Sequence, residues 1–447
     1  MASSSYSYVT GGAGNQKTLT LSGWFKVCKQ VSGGCFFSYY YASTTARSEV
    51  FLGTTNELKV GICPDGSTWK ELTYPNVMRD PGAWYNLVVA YDTTESVEAD
   101  RVKTYINGNQ ITAASGTYPS LNEDTGWFAS GYQQTIGRYE SGDASYVDGC
   151  VTHVNFIEGT AYAPTAFGEF DATSGIWIAK SGPSVTYGDE GGFWKFASGA
   201  LTTDSSGNSN TLTAVGTPTE CKDSPDNNFA TINPLDNYYC AGTLSNGNNT
   251  IVTGSASYAG ITSTVGVSTG KWYSEIKLGT GTYPYVGIMG TPAAATSHGV
   301  GYANDGYGYY GFNGQITNND SALDASYGAT YTSGDIIGIA LDLTNSKLYF
   351  SKNGTWQDSG DPTSGATGTG AISITAASST NTGCYRIGVS DEDNSATGTF
   401  HTNFGNGYFG TTIVSSSESD DAGIGSFEYD VPAGYYALCT NNLGDQS

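Results

Sequence analysis

Apolar and polar positions in this chain alternate in short runs and rarely repeat at helical spacing. From Ser333 to Thr355 the sequence reads SGDIIGIALDLTNSKLYFSKNGT. It predicts an apolar strand from Ile336 to Leu343, a turn at Thr344-Asn345-Ser346 and a second strand from Lys347 to Lys352. In that second strand Leu348 and Phe350 share one face and Tyr349 takes the other, and Asn353-Gly354 closes it in a tight turn. A similar arrangement occurs far upstream. WYNLVVAYDTT from Trp84 runs into RVKTYINGNQI from Arg101, again an apolar strand, a polar connection, an aromatic strand and Asn-Gly. Further strands are expected at Thr18–Phe25, Val50–Leu52, Leu58–Ile62 and Cys150–Ile157.

Thr, Val, Ile and aromatic residues fall between Gly, Asn, Asp and Ser clusters, the pattern of an all-β protein. The 447 residues provide for more than one core, and 61 glycines and 33 tyrosines fit many short strands and turns. The reading is two antiparallel β-sandwich (jelly-roll) domains, residues 1–180 and 246–410. An irregular Gly/Ser/Asn-rich segment, 181–245, joins them and docks through Phe193, Trp194, Phe196 and Phe229. A C-terminal segment, 411–447, packs as a last strand and ends in a loose Asn-Asn-Leu-Gly-Asp.

The formal net charge is −23, from 18 basic and 41 acidic residues. Nucleic acid and anionic membrane are therefore poor partners, since each calls for a basic patch. No apolar run reaches membrane-spanning length. The N-terminus, Met1-Ala-Ser-Ser-Ser-Tyr, lacks a basic stretch followed by an apolar one, so the expectation is a chain made in a cytoplasm. The eight cysteines include no C-x-x-C. They read as reduced, small apolar side chains, with Cys28 and Cys35 flanking a turn that could bring them face to face.

Several stretches carry resemblances. GKWYSEIKLG at 270–279, VGIMG at 286–290, YANDGYGYYGFNG at 302–314, the run Gly334–Gly354 and YRIGVS at 385–390 resemble a SPRY domain. That resemblance implies a β-sandwich used for binding, with partners taken by loops at one end. LSGWFKV at 21–27, WYNLVVAYD, VKTYING and YVDGCVTHVNFIEGTAYAPTAFGEF at 146–170 look like a concanavalin A-like, laminin-G-type jelly roll. The last of these is similar to jelly rolls of bacteriophage structural proteins. DSSGNSNTLT at 204–213, NNFATINPLDN at 227–237 and VPAGYYALCTNNL at 431–443 resemble segments of large tail and virion proteins of marine phages.

The order of these motifs implies a non-enzymatic virion-surface protein made in the host cytoplasm. The leading role is a tail fibre or receptor-binding component touching host glycans or proteins. Capsid decoration, as a knob or head fibre, is the alternative, and a secreted lectin or glucanase comes third. Other virion proteins and copies of itself are the expected partners.

Candidate chemistry adds little to this. Glu-x-Asp-x-x-Glu, the run that jelly-roll glucanases use, is absent, as is a G-x-S-x-G elbow. His153, His298 and His401 are widely spaced, and His153 reads as a strand residue. Sugars stack on aromatic rings and offer hydroxyls to Asn and Asp. Asn304, Asp305, Tyr307, Tyr309, Tyr310 and Trp356 are therefore the candidate ligand contacts, although alternation sends at least half the rings near 306–312 inward. Asp391, Glu392 and Asp393 form an oxygen-rich loop of the kind calcium takes, as do Asn122–Gly126 and Asp204–Asn210. Solvated turns are the simpler explanation of all three, and no cofactor is required.

Overall fold

A computed structural model describes residues 5–29, 34–40, 46–75, 78–139, 145–237, 240–255, 260–292, 299–392 and 396–446. Strands dominate, as the alternation predicts, and the chain divides into two compact units. Met1–Glu220 with Ser224–Asp226 make the first, and Cys221–Asp223 with Asn227–Ser447 make the second.

The first unit is a sandwich of two antiparallel sheets. One has six described strands in the order Gly192–Trp194, Asp148–Glu158, Thr18–Lys29, Trp84–Asp92, Val102–Ile106, Asn109–Ile111. The other has eight, in the order Ser115–Gly116, Lys70–Tyr74, Leu58–Cys63, Arg47–Leu52, Cys35–Tyr40, Gln133–Ile136, Tyr6–Thr10, Thr213–Val215. Alternate residues of both sheets meet in one core that includes Leu21, Phe25, Phe37, Val50, Val60, Leu87, Val89 and Phe156.

Residues 192–215, part of the expected connecting segment, lie in this unit. Gly192–Trp194 adds a strand to one sheet and Thr213–Val215 pairs with Tyr6–Thr10 in the other. Trp194 accounts for much of this. Its ring is fully buried in the core, and its indole N–H donates to the Asn210 carbonyl at 2.9 Å. An apolar ring of that size draws the Gly/Ser/Asn-rich chain around it onto the sandwich.

The second unit is also two antiparallel sheets. Lys271–Thr280 is central in the larger, between Thr399–Asn403 and Ile336–Asp342. The smaller runs Gly260–Thr262, Arg386–Asp391, Pro284–Met289, Gly306–Tyr310, Ile316–Asn318, Ser321–Asp324. The hairpin at 336–352 forms as read, with Ile339 opposite Phe350. Leu348 and Phe350 enter the main core, while Tyr349 joins a separate cluster on the far face with Tyr273, Phe427 and Tyr435.

Asn353 and Gly354 both have positive φ, 48° and 79°, and so do Asn107 and Gly108, 48° and 77°. The same two-residue turn thus ends the matching hairpin in each unit. The C-terminal segment differs from the expected terminal strand. Tyr436–Ala437 pairs in parallel with Lys271–Thr280, and the run 441–445, expected to be loose, belongs to a short α-helix, Thr440–Asp445. Asp420 fixes this path. Its carboxylate accepts the Ala437 N–H at 2.9 Å and the Asn442 side-chain N–H at 2.8 Å.

Candidate ligand-binding cleft

The ligand contacts expected from sequence scatter through the second unit, and burial corrects three of them. Tyr309 is fully buried in the main core, where its hydroxyl donates to the Ala329 carbonyl. Tyr307 is buried beside it and accepts the Thr375 N–H at 3.0 Å. Asp305 is buried too, accepting from the Thr291 hydroxyl at 2.9 Å and the Asn381 N–H at 3.2 Å. Strand alternation turns Tyr307 and Tyr309 inward, and Asp305, in the turn before that strand, is tied to Thr291 and Asn381, so all three hold the sandwich together.

Asn304 is exposed, and Tyr310 is half-exposed and stacks on Tyr285 with centroids 4.2 Å apart. Trp356 is half-buried against Tyr273 and Tyr349. These three do not converge on a common cavity among the described residues.

The oxygen-rich loop at 391–393 is described only in part. Asp391 ends a strand, and Glu392 follows on the opposite face, where the Tyr285 and Tyr302 hydroxyls reach it. Burial pushes Glu392 up to about 7. Asp393 lies outside the described residues. Asp204 directs its oxygens at backbone donors instead, accepting from Phe193, Ser206 and Asn210 at 2.9, 2.8 and 2.9 Å. Among the described residues no three metal-ligating side chains come together.

The histidines also stay apart. His153 sits at a bulge with φ 50°, and His401 contacts the Thr250 hydroxyl at 3.0 Å; burial lowers the pKa of both rings. His298 lies outside the described residues.

One cleft that the sequence reading missed lies on the outer face of the eight-stranded sheet in the first unit. Strands Arg47–Leu52, Leu58–Cys63 and Lys70–Tyr74 lie side by side, with Glu49 opposite Gly61 and Gly61 opposite Glu71. Val50, Val60, Ile62 and Leu72 point into the core, so alternation sends Arg47, Glu49, Lys59 and Glu71 outward. A cleft of about 320 Å³ forms there, lined by Arg47, Glu49, Phe51, Trp69, Glu71, Tyr139 and Ser145.

Gly61 makes the room, since a Cβ there would stand 2.2 Å from the Trp69 ring. The Arg47 guanidinium lies 4.7 Å over that ring, and the indole N–H donates to Glu71 at 3.1 Å. Lys59 pairs with the other Glu71 oxygen at 2.7 Å. Arg47 Nε stands 3.0 Å from Glu49 Oε1, yet neither buried atom completes a hydrogen bond among the described residues. Burial, aided by the nearby Glu71 charge and opposed by Arg47, pushes Glu49 up to about 7.

The cleft thus presents aromatic faces, a cation and two carboxylates within one cavity. No short motif carries this set, because Glu49 and Glu71 meet only across an intervening strand.

Residues 2–162 match the family model described as the Concanavalin A-like lectin/glucanases superfamily, and residues 271–387 match the SPRY domain. The chain carries a concanavalin A-like domain and a SPRY domain. Both are typically binding domains, and the cleft lies in the concanavalin A-like one. Solved structures similar to this chain include the SPRY domain of human HERC1, at 16% identity over 36% of this chain and 91% of that one, TM-score 0.29. A native heptameric SAP-like pentraxin from Limulus polyphemus is 14% identical over 40% of this chain and 86% of that one, TM-score 0.28. A human SPRY domain is 17% identical over 34% and 90%, TM-score 0.25. No curated protein matches the chain.

Proposed function

We propose that this chain is a non-enzymatic binding protein of a bacteriophage virion surface, a tail-fibre or receptor-binding component that takes host-cell glycans in the Trp69 cleft. One observation carries the glycan reading: the ion pair of Arg47 and Glu49 lines the cleft with polar atoms that complete no hydrogen bond among the described residues, next to the half-exposed Trp69 and Tyr139 rings. A sugar suits that arrangement, with its apolar face against a ring and its hydroxyls meeting the charged pair. The virion reading rests on the order of the sequence motifs, above all those at 204–213, 227–237 and 431–443.

The test is binding of the full chain to an array of bacterial surface polysaccharides, with Trp69→Ala beside the parent and immunogold labelling of intact virions. Saturable binding that Trp69→Ala abolishes, with label at the tail, is the expected result. Label over the head replaces attachment with decoration, and no label removes the virion reading. Release of reducing ends from a bound glucan overturns the non-enzymatic reading.

A further inference from the structure

On the outer face of the six-stranded sheet in the first unit, Lys26, Cys28, Asp148 and Cys150 cluster, away from the cleft. Phe25 and Val27 point into the core, so alternation places Trp24, Lys26 and Cys28 on the opposite face. Cys150 packs on that face against the Trp24, Trp84 and Trp177 group. The register brings the two cysteines together. Cys150 pairs with Lys26 and Gly149 with Val27, then the ladder slips so that Asp148 meets Lys29, leaving Cys28 as the extra residue of a bulge. The strands are close there, since a Cβ on Gly149 would stand 1.9 Å from the Lys26 carbonyl oxygen. The Cys150 thiol is within hydrogen-bonding reach of the Cys28 thiol. Cys28 is fully buried, Cys150 is half-exposed, and all eight cysteines of the chain are present as thiols.

We propose that Cys28 and Cys150 are a convertible dithiol–disulfide pair that staples two neighbouring strands of the concanavalin A-like domain when the protein meets an oxidising environment. Cys28 lies diagonal to Cys150 on the same face, at the bulge, and closing the bridge draws their Cα atoms to within about 7 Å. The oxidant is an organic disulfide, RSSR. The half-exposed Cys150, as thiolate, attacks one sulfur of RSSR, forming Cys150–S–SR and releasing RS⁻. Cys28 then passes its proton to the RS⁻ released beside it and attacks the Cys150 sulfur, releasing the second RS⁻. Two thiols lose two protons and two electrons, and RSSR becomes two RSH.

The Cys150 neighbour, burial and the Asp148 charge all hold the Cys28 thiol protonated, against the Lys26 ammonium, so the second step is the slow one. Cys28 and Cys35, which the sequence brackets around a turn, are not the pair this geometry favours. Cys35 directs its thiol to the Phe37 and Val50 carbonyls at 3.1 and 3.5 Å.

The experiment incubates the purified full chain with oxidised glutathione, then unfolds it in denaturant with an alkylating agent and no reductant, and maps the peptides by mass. The expected result is a Cys28 peptide joined to a Cys150 peptide, two hydrogens lighter than their sum and separated by reductant. The oxidised protein should melt higher by roughly 5 °C. In Cys150→Ser, Cys28 should stay open to the alkylating agent. Alkylation of both cysteines in the oxidised parent, or a stable glutathione adduct on Cys150 beside an alkylated Cys28, overturns the pairing. The parent map decides this whether or not the variant folds.

Discussion

The Glu275 carboxylate accepts the backbone N–H of Glu428 at 2.8 Å, joining the centre of the larger SPRY-unit sheet to the chain's C-terminal segment. Its other oxygen accepts the Tyr429 N–H at 2.9 Å, and Tyr273 and Asn403 complete the shell. Glu275 is fully buried, so these donors have little water to fall back on. Glu275→Gln keeps the shape but exchanges one acceptor oxygen for a donor that faces an N–H. It should lower the stability of the SPRY unit by about 1–3 kcal/mol. A shift of the urea midpoint at unchanged slope would show this, and an unshifted midpoint would mean the C-terminal segment docks by its apolar contacts alone.

Glu49, Glu275 and Glu392 are each pushed up to about 7, chiefly by burial. An unfolded glutamate releases its proton near pH 4.5, so between about 4.5 and 7 the native state holds protons that the unfolded chain has lost. The stability these groups contribute is complete below 4.5 and is lost as the pH rises through 7. Asp335, Asp361 and Asp65 act in the opposite sense. Hydrogen bonds hold them below the usual range, and their contribution fades only as the pH falls into that lower range. His153 and His401, which burial holds below the usual range, oppose this as the pH falls through about 6.5, but the three buried carboxyls outnumber them, so the melting temperature should be higher at pH 5.5 than at pH 8. Melting curves over that span check the sign, and a steady rise with pH would contradict the burial argument.

Gly61 sets the room in the cleft, because the Trp69 ring occupies the place its side chain would take. Gly61→Ala would drive a methyl group into the Trp69 ring, which must then leave its place under Arg47. Alanine suits a strand at least as well as glycine, so folding should be nearly unaffected. Affinity for a glycan that the parent binds should fall about tenfold, a loss of about 1.4 kcal/mol. Titration calorimetry on both proteins, with circular dichroism as the fold control, measures this. Equal affinities would place the glycan elsewhere.

Strands and tight turns were readable from sequence because their determinants are local. Period-two alternation places Leu348 and Phe350 in the core and Tyr349 outside it, and Asn353-Gly354 has the residues its turn requires. The buried Tyr307 and Tyr309 were less legible. Glycines separate them, so Gly306, Gly308 and Gly311 leave no polar face against which to read alternation. The cleft was invisible for another reason. Glu49, Gly61 and Glu71 become neighbours only through the register of three strands, and register depends on pairing across the sheet. The terminal helix at 440–445 is short, with intrinsically poor helix formers such as Asn441, Asn442 and Gly444, and long-range contacts such as Asn442 to Asp420 hold it.

Asp204 separates a metal loop from a hydrogen-bonded turn by measurement. Its carboxylate accepts three backbone N–H groups and the Ser206 hydroxyl, which together wrap residues 204–210 around the strand that carries Trp194. With its oxygens so engaged, the loop needs no cation to hold its shape. Asp204→Ala should destabilise the first unit by about 2–4 kcal/mol, because several donors lose a charged acceptor at once. Removing divalent cations with EDTA, or adding calcium, should leave the parent's melting temperature unchanged. Differential scanning calorimetry on both proteins, with and without calcium, distinguishes the two cases. If calcium raises the parent's midpoint and leaves Asp204→Ala unmoved, Asp204 is a calcium ligand. If the variant alone melts lower, the backbone donors are what its carboxylate serves.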